Sequence, residues 1–146
     1  MLHDDCLFCK IISGDIPSAK VYEDEHVYAF MDISQVTTGH TLVIPKVHTK
    51  NIYETPSDVA SELFRRVPMI ANAVKKAYNP IGLNLLNNNE VSAGQSVFHL
   101  HIHIIPRYGE TDGFDAKWIT RNDEFSPAEL QNIANKITEH IENNTN

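Results

Sequence analysis

Residues 94–107 read Gly-Gln-Ser-Val-Phe-His-Leu-His-Ile-His-Ile-Ile-Pro-Arg, and within them His99, His101 and His103 alternate with Leu100, Ile102 and Ile104. Strict period-two alternation predicts an extended strand with one apolar and one polar face. The three imidazoles then project from one face at a pitch of roughly 6–7 Å, twice the ~3.3 Å rise per residue. Near neutral pH an imidazole can be a nucleophile, a proton carrier or a metal ligand. Three on one pleated face therefore read as a working surface. The alternative, a histidine-rich solvated edge strand, is opposed by the apolar facing side and by Pro106, which closes the run.

The remaining elements supply neighbours for that strand. Residues 6–13 predict a short helix that buries Leu7, Phe8, Ile11 and Ile12 and ends at Gly14. Val21-Tyr22 and Val27-Tyr28-Ala29-Phe30 flank Glu23-Asp24-Glu25-His26, a hairpin pattern. A third strand is expected over 41–44, stopped by Pro45. Val59, Leu63, Val67, Ile70 and Val74 recur at three- or four-residue steps and predict a helix over 57–78 with Ser57 as its N-cap. Pro68 inside it costs about 3 kcal/mol unless the helix kinks, so one bent helix is expected. Asn79-Pro80 ends that helix, residues 82–86 give a fourth strand, and a polar loop over 87–94 leads into the histidines. After Tyr108 the chain loosens until Ser126-Pro127-Ala128-Glu129 opens a last helix with capping residues, its apolar stripe being Leu130, Ile133, Ala134, Ile137 and Ile141. This order predicts an α+β fold on an antiparallel meander, one domain over 1–146 with a core over about 6–108 and a tail and helix over 109–146.

A chain of 146 residues, 42% of them hydrophobic, fits one domain with a real core. Its formal net charge of −7 argues against a nonspecific nucleic-acid binder or a binder of anionic membranes, since either normally carries a basic stripe. The first residues have neither the basic nor the apolar segment of a secretory signal, and no apolar run approaches a membrane span, so a cytoplasmic location is expected. Cys6 and Cys9, the only cysteines, form Cys-x-x-Cys. In a reducing compartment that reads as a redox pair or half of a tetrahedral zinc site. No strand–motif–helix of thioredoxin type surrounds the pair, which weakens the redox reading.

The run His-Leu-His-Ile-His-Ile-Ile resembles the signature of the histidine triad (HIT) superfamily of nucleotidyl hydrolases and transferases, in which three histidines alternate with apolar residues. Ala29-Phe30-Met31-Asp32-Ile33 and Gly39-His40-Thr41-Leu42-Val43-Ile44-Pro45-Lys46 match the family upstream, and the resemblance spans roughly residues 6–108. It is strongest to small bacterial HIT proteins, which carry Cys-x-x-Cys near the start and Ile-Pro-Arg-Tyr after the triad. The resemblance implies a five-stranded antiparallel sheet with two main helices, paired as a homodimer.

By the same resemblance, His101 would be the nucleophile, forming a covalent nucleotidyl-histidine, with His103 at the transferring group or leaving atom and His40 supporting the nucleophile. Ser96 and Gln95 enter the strand just ahead of the triad, where with nearby backbone N–H groups they could bind the phosphate oxygens. The family pattern places Asn88 and Ser96 on the phosphate, Asp32 on the ribose hydroxyls, and Ile33 and Phe30 in the base pocket. HIT-type proteins with the N-terminal cysteine pair complete a structural Zn²⁺ site with the first triad histidine and an upstream histidine. Here that implies Cys6, Cys9, His99 and His48, with His3 or His26 as substitutes for His48. Mg²⁺ could accompany the substrate.

The leading expectation is an enzyme that cleaves nucleoside 5′-phosphate conjugates, phosphoramidates or dinucleoside polyphosphates, at the α-phosphorus and releases an AMP-like product. Two others compete with it. One is a regulatory purine-nucleotide-binding protein with little turnover. The other is a zinc hydrolase that uses His99, His101 and His103 together as metal ligands.

Overall fold

The two bursts around residues 24–26 form an antiparallel hairpin of β1 (Lys20–Glu23) and β2 (Val27–Met31). Asp24 organises its turn. One carboxylate oxygen accepts the His26 and Val27 N–H groups at 2.8 and 2.9 Å, and the other accepts Arg66 Nε at 2.7 Å. The structure, a computed structural model, describes residues 3–142. Beside β2 lie β3 (Thr41–Pro45), then β5 (Ile102–Arg107), then β4 (Gly82–Leu86), giving the order β1-β2-β3-β5-β4 with every neighbouring pair antiparallel. The expected five-stranded sheet is present.

The alternation at the triad holds, although the strand is shorter than the pattern suggests. Pairing with β4 stops at Leu86 opposite His103, so His99–His101 run ahead of the ladder. Two bonds replace the missing rungs. Leu100 N donates to the Thr49 carbonyl at 2.7 Å, and Asn87 Nδ2 donates to the His101 carbonyl at 3.0 Å. Leu100, Ile102 and Ile104 pack into one core with Val27, Ala29, Val43 and the buried stripe of α2 (Ser57–Tyr78), namely Leu63, Val67, Ile70 and Val74. The histidines face the other side of the sheet, where α1 (Leu7–Ser13) packs Phe8 and Ile11 against Tyr28, Phe30, Leu42 and Ile44.

Two helix expectations need correction. Pro56, not Ser57, holds the N-cap position of α2, and no side chain caps that helix. Its first turn instead carries Asp58, an acidic residue of the kind favoured at the positive end of a helix. The helix continues as one element through Pro68 and ends at Asn79, which takes the left-handed conformation at φ 49°. Of the apolar residues of α1, Leu7 is exposed and Ile12 only half-buried, because two turns of helix present a single stripe to the sheet.

Contacts divide the chain between Phe114 and Asp115. The body therefore runs past the expected limit at 108, since Arg107 holds Asp112 at 2.9 Å and Gly113 N donates to the Val36 carbonyl at 3.0 Å. In the second unit, α3 (Pro127–Glu142) starts with the expected reciprocal cap between Ser126 and Glu129. Its stripe Leu130, Ile133, Ile137 and Ile141 is exposed, as is Trp118.

Leu63 lies fully buried where α2 meets the sheet. Leu63→Ala should lower the unfolding free energy by about 2–5 kcal/mol, transfer loss plus cavity, read as a shifted urea midpoint with an unchanged slope.

Candidate active site and metal cluster

The His101 ring is buried and stands edge-on to Phe8, with ring centroids 5.2 Å apart. Its Nδ1 lies 2.7 Å from the His99 carbonyl. A carbonyl only accepts, so Nδ1 carries the proton and Nε2 keeps its lone pair. Burial pushes the ring's pKa down, more than the His99 carbonyl and the Asp32 carboxylate raise it. The ring is therefore neutral, with a fixed tautomer and a lone pair on Nε2.

His40 does not reach His101 directly. Its Nε2 lies 2.9 Å from His103 Nδ1 and 3.5 Å from Asp32 Oδ2, and its Nδ1 accepts the Val36 N–H at 3.4 Å. The proton is thus on His40 Nε2, which donates to His103, and His103 keeps its own proton on Nε2. His40 thus meets the triad at His103, whose tautomer it sets and whose ring sits 5.0 Å from that of His101. Burial brings His103 down to about 4, aided by the neighbouring His101 and His40 rings. Burial also lowers His40, against the pull of Asp32.

These groups open on a cavity of about 350 Å³ whose walls include Phe30, Asp32, Ile33, Ser96, His101 and His103. Phe30 is buried in its wall, while Ile33 stands at the rim, 98% exposed. Asp32 does two jobs, since its Oδ1 caps the turn by accepting Ser34 N at 2.7 Å while Oδ2 faces His40. Gln95 is placed differently from expectation. It is buried, and its amide is spent on Glu90 N, the Lys50 carbonyl and the Val97 carbonyl, so it shapes the loop rather than offering a free donor. Asn88 bonds the Gly94 carbonyl at 3.4 Å and does not line the cavity.

Asn87 was missed. Its amide holds the His101 carbonyl at 3.0 Å, and the only signal was its place directly after a strand. Glu90 was missed as well. At φ 75° and ψ 157° it occupies a region normally left to glycine, held there by Gln95 and Asn51.

Cys6, Cys9, His48 and His99 bring their ligand atoms within 4.8 Å of one another. Cys6 Sγ to His99 Nδ1 is 3.5 Å, Cys9 Sγ to His48 Nδ1 3.4 Å and Cys9 Sγ to His99 Nδ1 3.6 Å. A tetrahedral Zn²⁺ about 2.3 Å from sulfur and about 2.05 Å from nitrogen sets sulfur–nitrogen edges of roughly 3.5 Å. These four residues therefore fit zinc. His99 is fully buried, and its Nε2 is fixed by the Pro45 carbonyl at 2.8 Å, which leaves Nδ1 for the metal. His3 stacks on His48 with ring centroids 4.0 Å apart, and His26 pairs with Glu25, so neither replaces His48 in the cluster. His101 and His103 lie outside it, against a zinc centre built on all three triad histidines.

The HIT domain family model matches residues 13–110. Among curated relatives, Protein hit of Bacillus subtilis (strain 168) is 61% identical over 138 residues, 94% of this chain and 95% of that protein. The adenosine 5′-monophosphoramidase of Candida albicans is 34% identical over 143 residues, 95% of this chain and 93% of that protein. Among solved structures, a HIT family protein from Bacillus anthracis aligns with a TM-score of 0.92 at 59% identity, covering 94% of this chain and 97% of that one. A zinc-bound histidine triad family protein from Mycobacterium smegmatis aligns at 0.71 and 33% identity, covering 90% and 97%.

Because His40 and His103 titrate below the ordinary histidine value of about 6.5, the folded state binds fewer protons than the unfolded one between there and about 4. Stability should therefore rise with pH across that window and fall on acidification through it. Urea midpoints measured between pH 4 and 7.5 should show this slope, and His103→Gln should flatten it.

Proposed function

This chain belongs to the HIT domain family, and from that premise we propose that it hydrolyses nucleoside 5′-phosphate conjugates at the α-phosphorus through a nucleotidyl-His101 intermediate. The observation that carries the proposal is the 2.7 Å bond from His101 Nδ1 to the His99 carbonyl, which leaves Nε2 free at the edge of a cavity of about 350 Å³. The base lies against Phe30 and Ile33, the ribose hydroxyls meet Asp32, and Ser96 donates to a phosphate oxygen.

Nε2 of His101 attacks the α-phosphorus, and the bond to the leaving group breaks with its electron pair going to the departing atom. The His103 Nε2–H hydrogen-bonds that atom, and the positive charge gained by the His101 ring is stabilised by the His99 carbonyl. Water then attacks the adduct phosphorus and loses a proton to solvent, while the phosphorus–nitrogen bond breaks with its electron pair returning to Nε2, and the nucleoside monophosphate is released. Splitting one displacement into two lowers each barrier.

Zinc at Cys6, Cys9, His48 and His99 is structural in this reading. It ties the first turn of α1 to the segment entering the catalytic strand. His99 lies two residues before His101, so a metal held by its Nδ1 would also steady the carbonyl that fixes the tautomer of His101. Mg²⁺ enters with the substrate's phosphates, and the working form is a homodimer in the cytoplasm, where the thiols stay reduced. Among the described residues no helix is long and apolar enough to cross a membrane.

His101→Ala should lower turnover by at least about 10³-fold while AMP binding, by calorimetry, persists. Rapid-quench mass spectrometry of the wild type should find a nucleotide on the peptide holding His101, and its absence under turnover conditions overturns the mechanism. Cys6→Ser should release zinc and lower the unfolding temperature, whereas His101→Ala should keep its zinc. Elemental analysis of the two variants separates the sites.

A further inference from the structure

Apart from the cysteine cluster, a second set of metal-ligating side chains converges among the described residues. The ligand atoms of Asp32, His40 and His103 lie within 4.8 Å of one another. From His40 Nε2 it is 2.9 Å to His103 Nδ1 and 3.5 Å to Asp32 Oδ2. A first-row cation about 2.1 Å from each ligand sets edges of roughly 3.0 Å at octahedral angles and roughly 3.4 Å at tetrahedral ones. Two imidazoles and one carboxylate on one side of an ion leave its other positions open. Here the open side is the cavity of about 350 Å³, which Asp32 and His103 line while His40 is buried.

We propose that Asp32, His40 and His103 bind a divalent transition metal, and that this ion closes the site to nucleotides. The binding stands on its own geometry. The inhibition rests on the hydrolase reading, in which Asp32 takes the ribose hydroxyls and His103 the leaving atom, so that ion and nucleotide claim the same side chains.

The ligands are already oriented for an ion. Asp32 Oδ1 accepts Ser34 N–H at 2.7 Å, which leaves Oδ2 facing His40. His103 Nδ1 accepts the His40 hydrogen bond, so its lone pair already points between the two rings. Only the His40 proton has to move, from Nε2 to Nδ1. That costs the long 3.4 Å contact with the Val36 N–H, and the Ser34 carbonyl beside the ring can take the proton instead. Burial keeps both imidazoles neutral, so no positive charge has to be displaced. With no thiolate in the set the ion is held less firmly than at the cysteines, and occupancy follows the free metal concentration. Mg²⁺, which prefers oxygen ligands, fits this set poorly.

The test titrates Co²⁺ into zinc-loaded protein at neutral pH and follows its visible absorption. One further Co²⁺ per chain should bind with ligand-field bands but without the sulfur-to-cobalt charge transfer that marks the thiolates. Asp32→Asn and His40→Gln should each weaken this binding at least about tenfold, whereas His101→Ala and an excess of Mg²⁺ should leave it in place. Should His40→Gln fail to fold, the half-buried Asp32 carries the test alone. Sulfur-free Co²⁺ binding that is absent, that survives the ligand variants unchanged, or that His101→Ala abolishes overturns the site. Co²⁺ at about ten times its own Kd should also raise the Kd of AMP about tenfold, and an AMP affinity that Co²⁺ leaves unchanged overturns the inhibition. A wild type that binds Co²⁺ here yet turns over no nucleotide conjugate refutes the hydrolase reading and leaves the metal site supported.

Discussion

The hydrogen bond from His101 Nδ1 to the carbonyl two residues earlier is the interaction on which the site depends. An exposed imidazole exchanges tautomers freely and competes with water for its partners. Buried against Phe8 and tied to a backbone acceptor, this ring has one tautomer and one orientation. The bond requires an extended backbone whose carbonyl faces the ring. That requirement explains why His99 and His101 precede the ladder of β5 and why side-chain and loop groups, Asn87 and Thr49, take over from β4 in holding that segment.

One segment serves three environments in alternation. Leu100, Ile102 and Ile104 close the core under α2, His99 sits among the thiols of α1, and His101 and His103 face the cavity. A register slip of one residue would put imidazoles into the hydrocarbon core and leucine into the site. The apolar face therefore guards the chemistry as much as it stabilises the fold. His40 and Asp32 extend the order outward, fixing His103 through a bond that also spans β3 and β5.

Much of this was legible because periodicity reports which face a residue occupies. The five strands, the long α2 and the reciprocal cap of α3 all follow from local pattern. The pattern was silent where a residue's role depends on a partner distant in sequence. Whether His48, His3 or His26 joins the cysteines is set by how β3 leads into its loop, and no spacing rule encodes that. Gln95 looks like a phosphate donor beside Ser96, yet its neighbours are the carbonyls of Lys50 and Val97. The expected N-cap at Ser57 failed for a smaller reason: Pro56 already has the extended backbone that the cap position needs.

Glu90 carries a backbone that glycine would adopt without strain, at φ 75°. Glycine there would relax the loop and remove the carboxylate that reaches Asn51 and Lys50. The strained backbone at this position and the bonds its carboxylate makes to the Asn51 amide and the Lys50 ammonium therefore come together or not at all.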